Sequence, residues 1–409
     1  MSLSLDIQKP KDSTPTATYD VVVLGAGPYG LSATAHLRAQ GLKVAIFGKP
    51  IDYWRSNMPE GMLLRSFWWA SNLSDPEGKY GLTQYFQLKG MVAPDPLPIE
   101  TFIDYALWFQ KNVVPDVDET YIAHIERDKQ GQYIVTLEDG RVLQSKTVVM
   151  APGLHYYRYV PKEYAHMPAS LVSHTAEHST LDQFVGKTVA FIGKGQASLE
   201  TAALANEKGV IVHVITRGSL HWLPVSNPKV PLWIRQIRAP MAGMGNGWLN
   251  FLLEKYPYAL NHFTREAVDH VMDSKHGPAG SPWLRPRLFG KVTLHQNTHV
   301  EKVEEVDGKA KLTFTNGETL VVDHIILGTG YRADIRRLPM LDSYLLDEIY
   351  AYRGCPVLNN WFETNVPGLY FLGYTSARSF GPFYRFVVGT DAAARRVAAA
   401  IARKLVPAR

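Results

Sequence analysis

Twice along this chain an apolar run breaks into small residues at the spacing G-x-G-x-x-G: VVVLGAGPYG over 21–30 and VAFIGKGQAS over 189–198. A strand that ends in such a turn and hands over to a helix constrains the fold more than any other feature here. In the first copy Gly25 allows the tight turn, Gly27 lets backbone approach a pyrophosphate, and Gly30 lets the helix pack closely on the strand. Pro28 stands inside the same turn and is counted with these glycines as a contact position. The helix LSATAHLRAQ then runs to Gly41, a natural C-cap, and a second strand follows at LKVAIF. An acid is expected at the end of that strand to hold a ribose, but Gly48 stands there. Backbone, Lys49 or Asp52 is left to take its place.

In the second copy Gly193, Gly195 and Gln196 form the turn, and Ser198 replaces the third glycine. Serine is small enough for the close helix crossing. The next strand, VIVHVITRG, ends in Arg217, where a cation suits the 2′-phosphate that separates NADP from NAD. The alternative is a solvated strand-end charge. The absence of an acid in TRGS favours NADP. The copies lie some 168 residues apart, which points to two nucleotide domains and not to a repeat array.

Composition narrows the class. A chain of 409 residues suits two or three domains, and 46% apolar with 20% charged residues excludes a disordered chain. A net charge of +5, from 43 cations and 38 anions, is too mild and scattered for nucleic acid. No run of 18 apolar residues exists, so no membrane partner is expected. Residues 1–18 lack an apolar signal core and read as a flexible polar leader. Cys355 is the only cysteine, which excludes a disulfide framework, an intrachain redox pair and a cysteine zinc site. No metal site is expected, and a reducing, cytoplasmic setting is the simplest reading.

Two further segments rhyme. VVMAPG at 148–153 and IILGTG at 325–330 are apolar strands ending in small residues, each preceded by a hairpin-like stretch with an Asp-Gly or Asn-Gly reversal. With these in place the sequence resembles the two-dinucleotide-binding-domain flavoprotein monooxygenases, the flavin-containing and N-hydroxylating (class B) enzymes, over nearly the whole chain after residue 18. The resemblance implies an α/β fold of two Rossmann-like dinucleotide-binding domains, the NADPH domain inserted into a discontinuous FAD domain. Its expected bounds are 19–160 and 325–409 for the FAD domain and 161–324 for the NADPH domain, with a substrate or lid insert at 219–290. FAD is expected at GAGPYG and NADPH at GKGQAS.

The resemblance also implies roles for particular residues. DYWRSNMPEGMLLRS resembles the segment beside the flavin ring, which places Trp54 and Arg65 there. The family's F-x-G-x-x-x-H-S pattern is kept only as His178–Ser179, with Val172 and His174 at the earlier places. His178 and Arg65 are the catalytic candidates. Gly330 in GTGYR belongs to a crossover strand, and Gly381, Pro382 and Phe383 in SFGPFYR are expected to line the flavin ring.

The insert holds Trp222, Trp233, Trp248 and Trp283 among many prolines, with helices expected near 247–256 and 263–274. It suits an apolar pocket or lid, and nearly as well the interface of a homo-oligomer. Without a cysteine pair, electrons from NADPH must leave to oxygen, to a bound organic substrate or to another protein. The resemblance implies a monooxygenase that inserts one atom of O2 into a small organic substrate, aromatic or amine, through a C4a-(hydro)peroxyflavin. The alternative is an NADPH-dependent flavoprotein reductase or oxidase that inserts no oxygen.

Overall fold

The computed structural model describes residues 15–224, 229–274 and 277–406. The expected leader therefore lies outside the described residues up to 14, and strand β1 begins at Ala17, ahead of the expected bound at 19.

The first sheet is built from β1 (Ala17–Leu24), β2 (Val44–Phe47), β3 (Ile122–Arg127), β4 (Tyr133–Leu137) and β5 (Val142–Met150). Its order is β2-β1-β5-β4-β3, and the late strand Leu369–Phe371 pairs with β5. β1, β2, β5 and the late strand run parallel, whereas the hairpin strands β3 and β4 join antiparallel. The sheet is thus mixed. The reversal at Asp139-Gly140 is a tight turn, and so short a connection, four residues between Leu137 and Val142, can only return the chain antiparallel.

Val21, Val22 and Val23 are wholly buried, so side chains from both faces of β1 meet protein, which is why this strand reads as an unbroken apolar run. Helix Pro28–Ala39 covers one face and packs on the closing helix Thr390–Leu405. Tyr29 Oη ties the first helix to the segment just before the closing helix, its one hydroxyl hydrogen shared between the Tyr384 and Phe386 carbonyls at 3.0 and 2.8 Å.

The second sheet uses β6 (Val172–His174), β7 (Thr188–Ile192), β8 (Ile211–Thr216) and β9 (Thr293–Gln296). β10 (Val300–Val306), β11 (Lys309–Phe314) and β12 (Thr319–Val322) form an antiparallel meander, from which β13 (His324–Leu327) enters the sheet. The order β6-β13-β7-β8-β9 is parallel throughout. The alternation along β7 splits the packing. Val189 and Phe191 meet the helix Gln196–Glu207, while Ala190 joins Val303, Leu312 and Phe314 of the meander.

β13 pairs with both β6 and β7, so the chain leaves the second sheet only after Leu327. The expected return to the first unit at 325 falls inside that strand. The described part of the insert has helices Leu232–Arg238, Trp248–Lys255 and Arg265–Ser274, while residues 225–228 and 275–276 lie outside the description. Its inner side is tied to the first unit: Arg378 pairs with Asp269 at 2.6 Å, and Tyr258 Oη donates to the Ala392 carbonyl at 2.9 Å.

Candidate functional site

A cavity of about 1270 Å³ opens along the C-terminal ends of the parallel strands of the first sheet and reaches the helix that starts the second unit. Its floor is the first glycine turn. Gly25 has φ +98°, and a Cβ there would lie 2.3 Å from the Ala151 carbonyl oxygen; at Gly30 it would lie 1.8 Å from that of Gly25. Both glycines are required by close backbone approach. Gly27 differs: a Cβ there would meet nothing within 4 Å, because it faces open cavity. This room, in front of the free amides of helix Pro28–Ala39, fits a dinucleotide pyrophosphate. Pro28 lines the same cavity.

The second turn repeats the logic. Gly193 has φ +131°, and a Cβ there would lie 2.4 Å from the Gly328 oxygen. A Cβ on Gly328 would fall 2.3 Å from that of Ser198, so this crossing accepts serine because its partner strand carries glycine. Gly195 leaves 3.6 Å to Pro278 of the insert. Arg217 is exposed at the end of β8, and the Lys194 ammonium lies 3.4 Å from where a Cβ on neighbouring Gly218 would be.

Around the missing acid, Gly48 takes φ +119° and donates its amide to the Asp118 carbonyl at 2.9 Å. Lys49 and Asp52 both reach the cavity wall and flank Tyr121. The Lys49 ammonium stands 5.7 Å from that ring's centroid, and Asp52 accepts the phenol at 3.0 Å.

Trp54 lines the cavity and packs on Phe102 with ring centroids 4.6 Å apart. Arg65 lines it too, half-buried, with its guanidinium 5.9 Å from the Phe386 ring; burial lowers its pKa. Gly330 is not on the wall, but the next residue, Tyr331, is, and its hydroxyl accepts from Tyr53 at 2.7 Å. Gly381, Pro382 and Phe383 are buried away from the cavity, and a Cβ at Gly381 would lie 2.3 Å from Leu260 of the insert. The closing segment meets the cavity through Tyr384, Arg385, Phe386 and Val387.

His178 is also off the wall. Its Nε2 lies 2.7 Å from Ser173 Oγ, which is the same distance from His324 Nε2, and Gln183 donates to its Nδ1 at 3.0 Å. Burial pushes both imidazoles down to about 4, so this chain of neutral partners ties β6 to β13. The neighbouring Ser179 carbonyl accepts the Glu60 amide at 3.0 Å, which clamps the two units together. None of the described insert residues lines the cavity.

Glu200 is the wall residue that the sequence reading passed over. It is 1% exposed, accepts the Leu63 amide of the first unit at 2.8 Å, and accepts Gln196 Nε2 at 2.9 Å. Gln196 in turn accepts the Ser281 amide at 2.9 Å. Burial pushes the Glu200 carboxyl up to about 7, against the lowering pull of those two hydrogen bonds. Its sequence signal was a carboxylate on the apolar side of a helix, between Leu199 and Ala203. Cys355 is buried, and burial raises its thiol to about 11, which leaves it a poor nucleophile.

Known proteins match this arrangement over most of its length. The rice (Oryza sativa subsp. japonica) indole-3-pyruvate monooxygenase YUCCA1 is 25% identical, covering 96% of this chain and 94% of its own. Among solved structures, an ornithine hydroxylase from Pseudomonas aeruginosa superposes with TM-score 0.74 at 17% identity, over 95% of this chain and all of its own. A bacillithiol disulfide reductase from Staphylococcus aureus gives 0.63 at 16% identity, over 95% of this chain and 99% of its own. These structural likenesses carry the fold. The family model described as pyridine nucleotide-disulphide oxidoreductase matches residues 19–238, more than half of the chain, and a second model of the same description matches 259–373. With both glycine turns, both sheets and the shared cavity in place, the chain belongs to the pyridine nucleotide-disulphide oxidoreductase family.

Proposed function

We propose that this protein is an FAD- and NADPH-dependent monooxygenase acting on a small, largely apolar substrate. The observation that carries the reading is a shared cavity between two dinucleotide turns in a chain whose single cysteine is buried and protonated. The dithiol relay in the family's name needs two cysteines, so electrons entering from a nicotinamide have no sulfur path out. Similarity to an indole-3-pyruvate monooxygenase over nearly the whole chain supports oxygen as the acceptor.

Bound FAD would supply hydride acceptance from NADPH and the activation of O2. The protein's part is holding and shielding. The first turn, with Gly25, Gly27, Pro28 and Gly30, would take the FAD pyrophosphate, and Lys49 and Asp52 the adenosine end. Gly193, Gly195, Gln196 and Ser198 would take NADPH, with Arg217 and Lys194 on its 2′-phosphate. Trp54, Arg65 and the 384–387 segment would bound the reactive end. Arg65 has no hydrogen-bond partner among the described residues, so its guanidinium is open to a carbonyl or anionic group there. The apolar wall excludes water from the reduced cofactor. No described helix is long and apolar enough to cross a membrane.

The test is turnover with NADPH under ¹⁸O-labelled dioxygen, with aromatic 2-oxo acids and aromatic amines as substrates. One labelled atom in the organic product supports the reading. NADPH oxidation with the label only in hydrogen peroxide or water, across substrates that bind, replaces it with the reductase or oxidase alternative.

A further inference from the structure

The outer side of the insert is an apolar surface on which, among the described residues, no other element of this chain packs. Helix Leu232–Arg238 has no buried residue, and helix Trp248–Lys255 buries only Leu253. Trp233 and Ile237, one turn apart, are 64% and 63% exposed. Trp248, Leu252 and Tyr256 follow at the same helical spacing and are 54%, 46% and 65% exposed. Trp248 Nε1 donates to the Ile237 carbonyl at 3.0 Å, which joins the two rows into one surface, and Met241 in the connection is exposed as well. A soluble chain seldom leaves so many large apolar side chains side by side without a use.

The charges within this segment are mostly cationic. Lys229, Arg235, Arg238 and Lys255 fall within residues 229–256, against the single carboxylate of Glu254. Glu254 is spent inward, on the Gly243 amide at 2.6 Å. Tryptophan, tyrosine and leucine projecting from short helices with a cationic rim match what lies in the interface of an anionic bilayer. A second copy of the chain fits less well. Two-fold pairing of the surface would bring the Arg235, Arg238 and Lys255 clusters together without a carboxylate to separate them.

We propose that the 232–256 surface docks the protein peripherally onto an anionic lipid membrane. Gly243, between the two helices, packs on Ala70 and Val388, next to the cavity-lining Val387. Docking therefore places the cavity wall close to the lipid.

The experiment is flotation of the full, flavin-loaded chain with phosphatidylcholine vesicles, with and without phosphatidylglycerol, at low and high salt. The expected result is partition onto the anionic vesicles, weakened by salt. Trp233→Ser combined with Ile237→Ser should lower that partition about tenfold or more, and Arg238→Glu with Lys255→Glu should do likewise. Val92→Ser, at an exposed apolar residue outside the surface, should leave it unchanged. Flavin content and melting temperature establish that each variant is folded. Failure of the wild type to float with anionic vesicles at low salt overturns the proposal. So does a vesicle-free dimer in light scattering that the Trp233→Ser and Ile237→Ser pair dissolves, since that assigns the surface to a second copy.

Discussion

Glu200 makes the junction of the two units sensitive to pH, and the sign of the effect follows from its surroundings. Its carboxyl titrates near 7 in the folded chain, against an ordinary value of 4.5 once unfolded, chiefly because burial disfavours the charge. A raised carboxyl pKa means that the folded state binds the extra proton between those values. The stability it contributes is complete below about 4.5 and is lost as pH rises through about 7. A difference of about 2.5 pKa units at 1.36 kcal/mol each gives about 3 kcal/mol in all, of which about 2.5 kcal/mol is lost between pH 5 and 8.

Glu200→Gln removes the titration and keeps an oxygen for the Leu63 amide. Its new amide opposes Gln196 Nε2, which costs about 1 kcal/mol at every pH. The comparison that isolates Glu200 is the difference between wild type and variant, since every other titration cancels. With an unfolding entropy of about 2.1 cal/mol/K per residue, 2.5 kcal/mol corresponds to about 3 °C for a chain of 409 residues. Melting followed by far-ultraviolet circular dichroism from pH 5 to 8 should show wild type losing about 3 °C relative to Glu200→Gln. A difference that stays constant to within about 1 °C over that range refutes the assignment of a raised pKa to this carboxyl.

Three further outcomes follow from the site. Arg217→Ala should lower kcat/KM for NADPH about ten- to a hundredfold, the worth of a hydrogen bond to a charged group, and leave NADH nearly unchanged; equal losses for both nucleotides reject the 2′-phosphate role. Cys355→Ala should leave NADPH oxidation intact at a cost of about 1 kcal/mol in stability, and a loss of turnover of about tenfold or more would restore a thiol to the mechanism. Gly27→Ala should fold with an unchanged melting temperature yet bind flavin weakly, whereas Gly30→Ala should fail to fold, its Cβ placed 1.8 Å from a carbonyl oxygen. Soluble, flavin-loaded Gly30→Ala would contradict that reading of the cradle.

Much of the fold was legible because each nucleotide unit announces itself by steric necessity. The apolar run that begins the second copy at Val189 is found as the strand Thr188–Ile192, and the Asp-Gly and Asn-Gly reversals do join antiparallel strands. What the residues did not reveal was how those hairpins attach. β4 extends the first sheet, whereas β12 stays in a separate meander and only β13 enters the second sheet. An apolar strand ending in glycine looks alike in either unit, so the return point at 325 was misplaced. The closing segment shows a similar limit. Gly381 at φ +94° turns Pro382 and Phe383 into the core and hands the cavity wall to residues 384–387. Residue identities in GPFYRFV do not reveal which way a 3₁₀ turn faces. Of the insert's tryptophans, read as a pocket or lid and nearly as well as an interface, Trp222 and Trp283 pack on the core of the second unit, while Trp233 and Trp248 stand exposed on helices that flank the inward-packed Gly243.

The absent acid at the end of β2 is the case where a departure from the motif acquires a physical reason. Gly48 sits at φ +119°, a backbone conformation that an aspartate or glutamate would hold only under strain. That conformation lets its amide reach the Asp118 carbonyl, and a Cβ there would come within 3.6 Å of Gly25 and Ala26 in the first turn. The strand end is therefore spent on backbone closure against the segment that precedes β3. We propose that polar contact with a ribose passes to side chains that follow, since Lys49 and Asp52 stand on either side of Tyr121 on that wall. The motif's acid supplies one carboxylate at a fixed point. Here a carboxylate four residues later, held by a tyrosine hydroxyl, would offer an acceptor on the same wall.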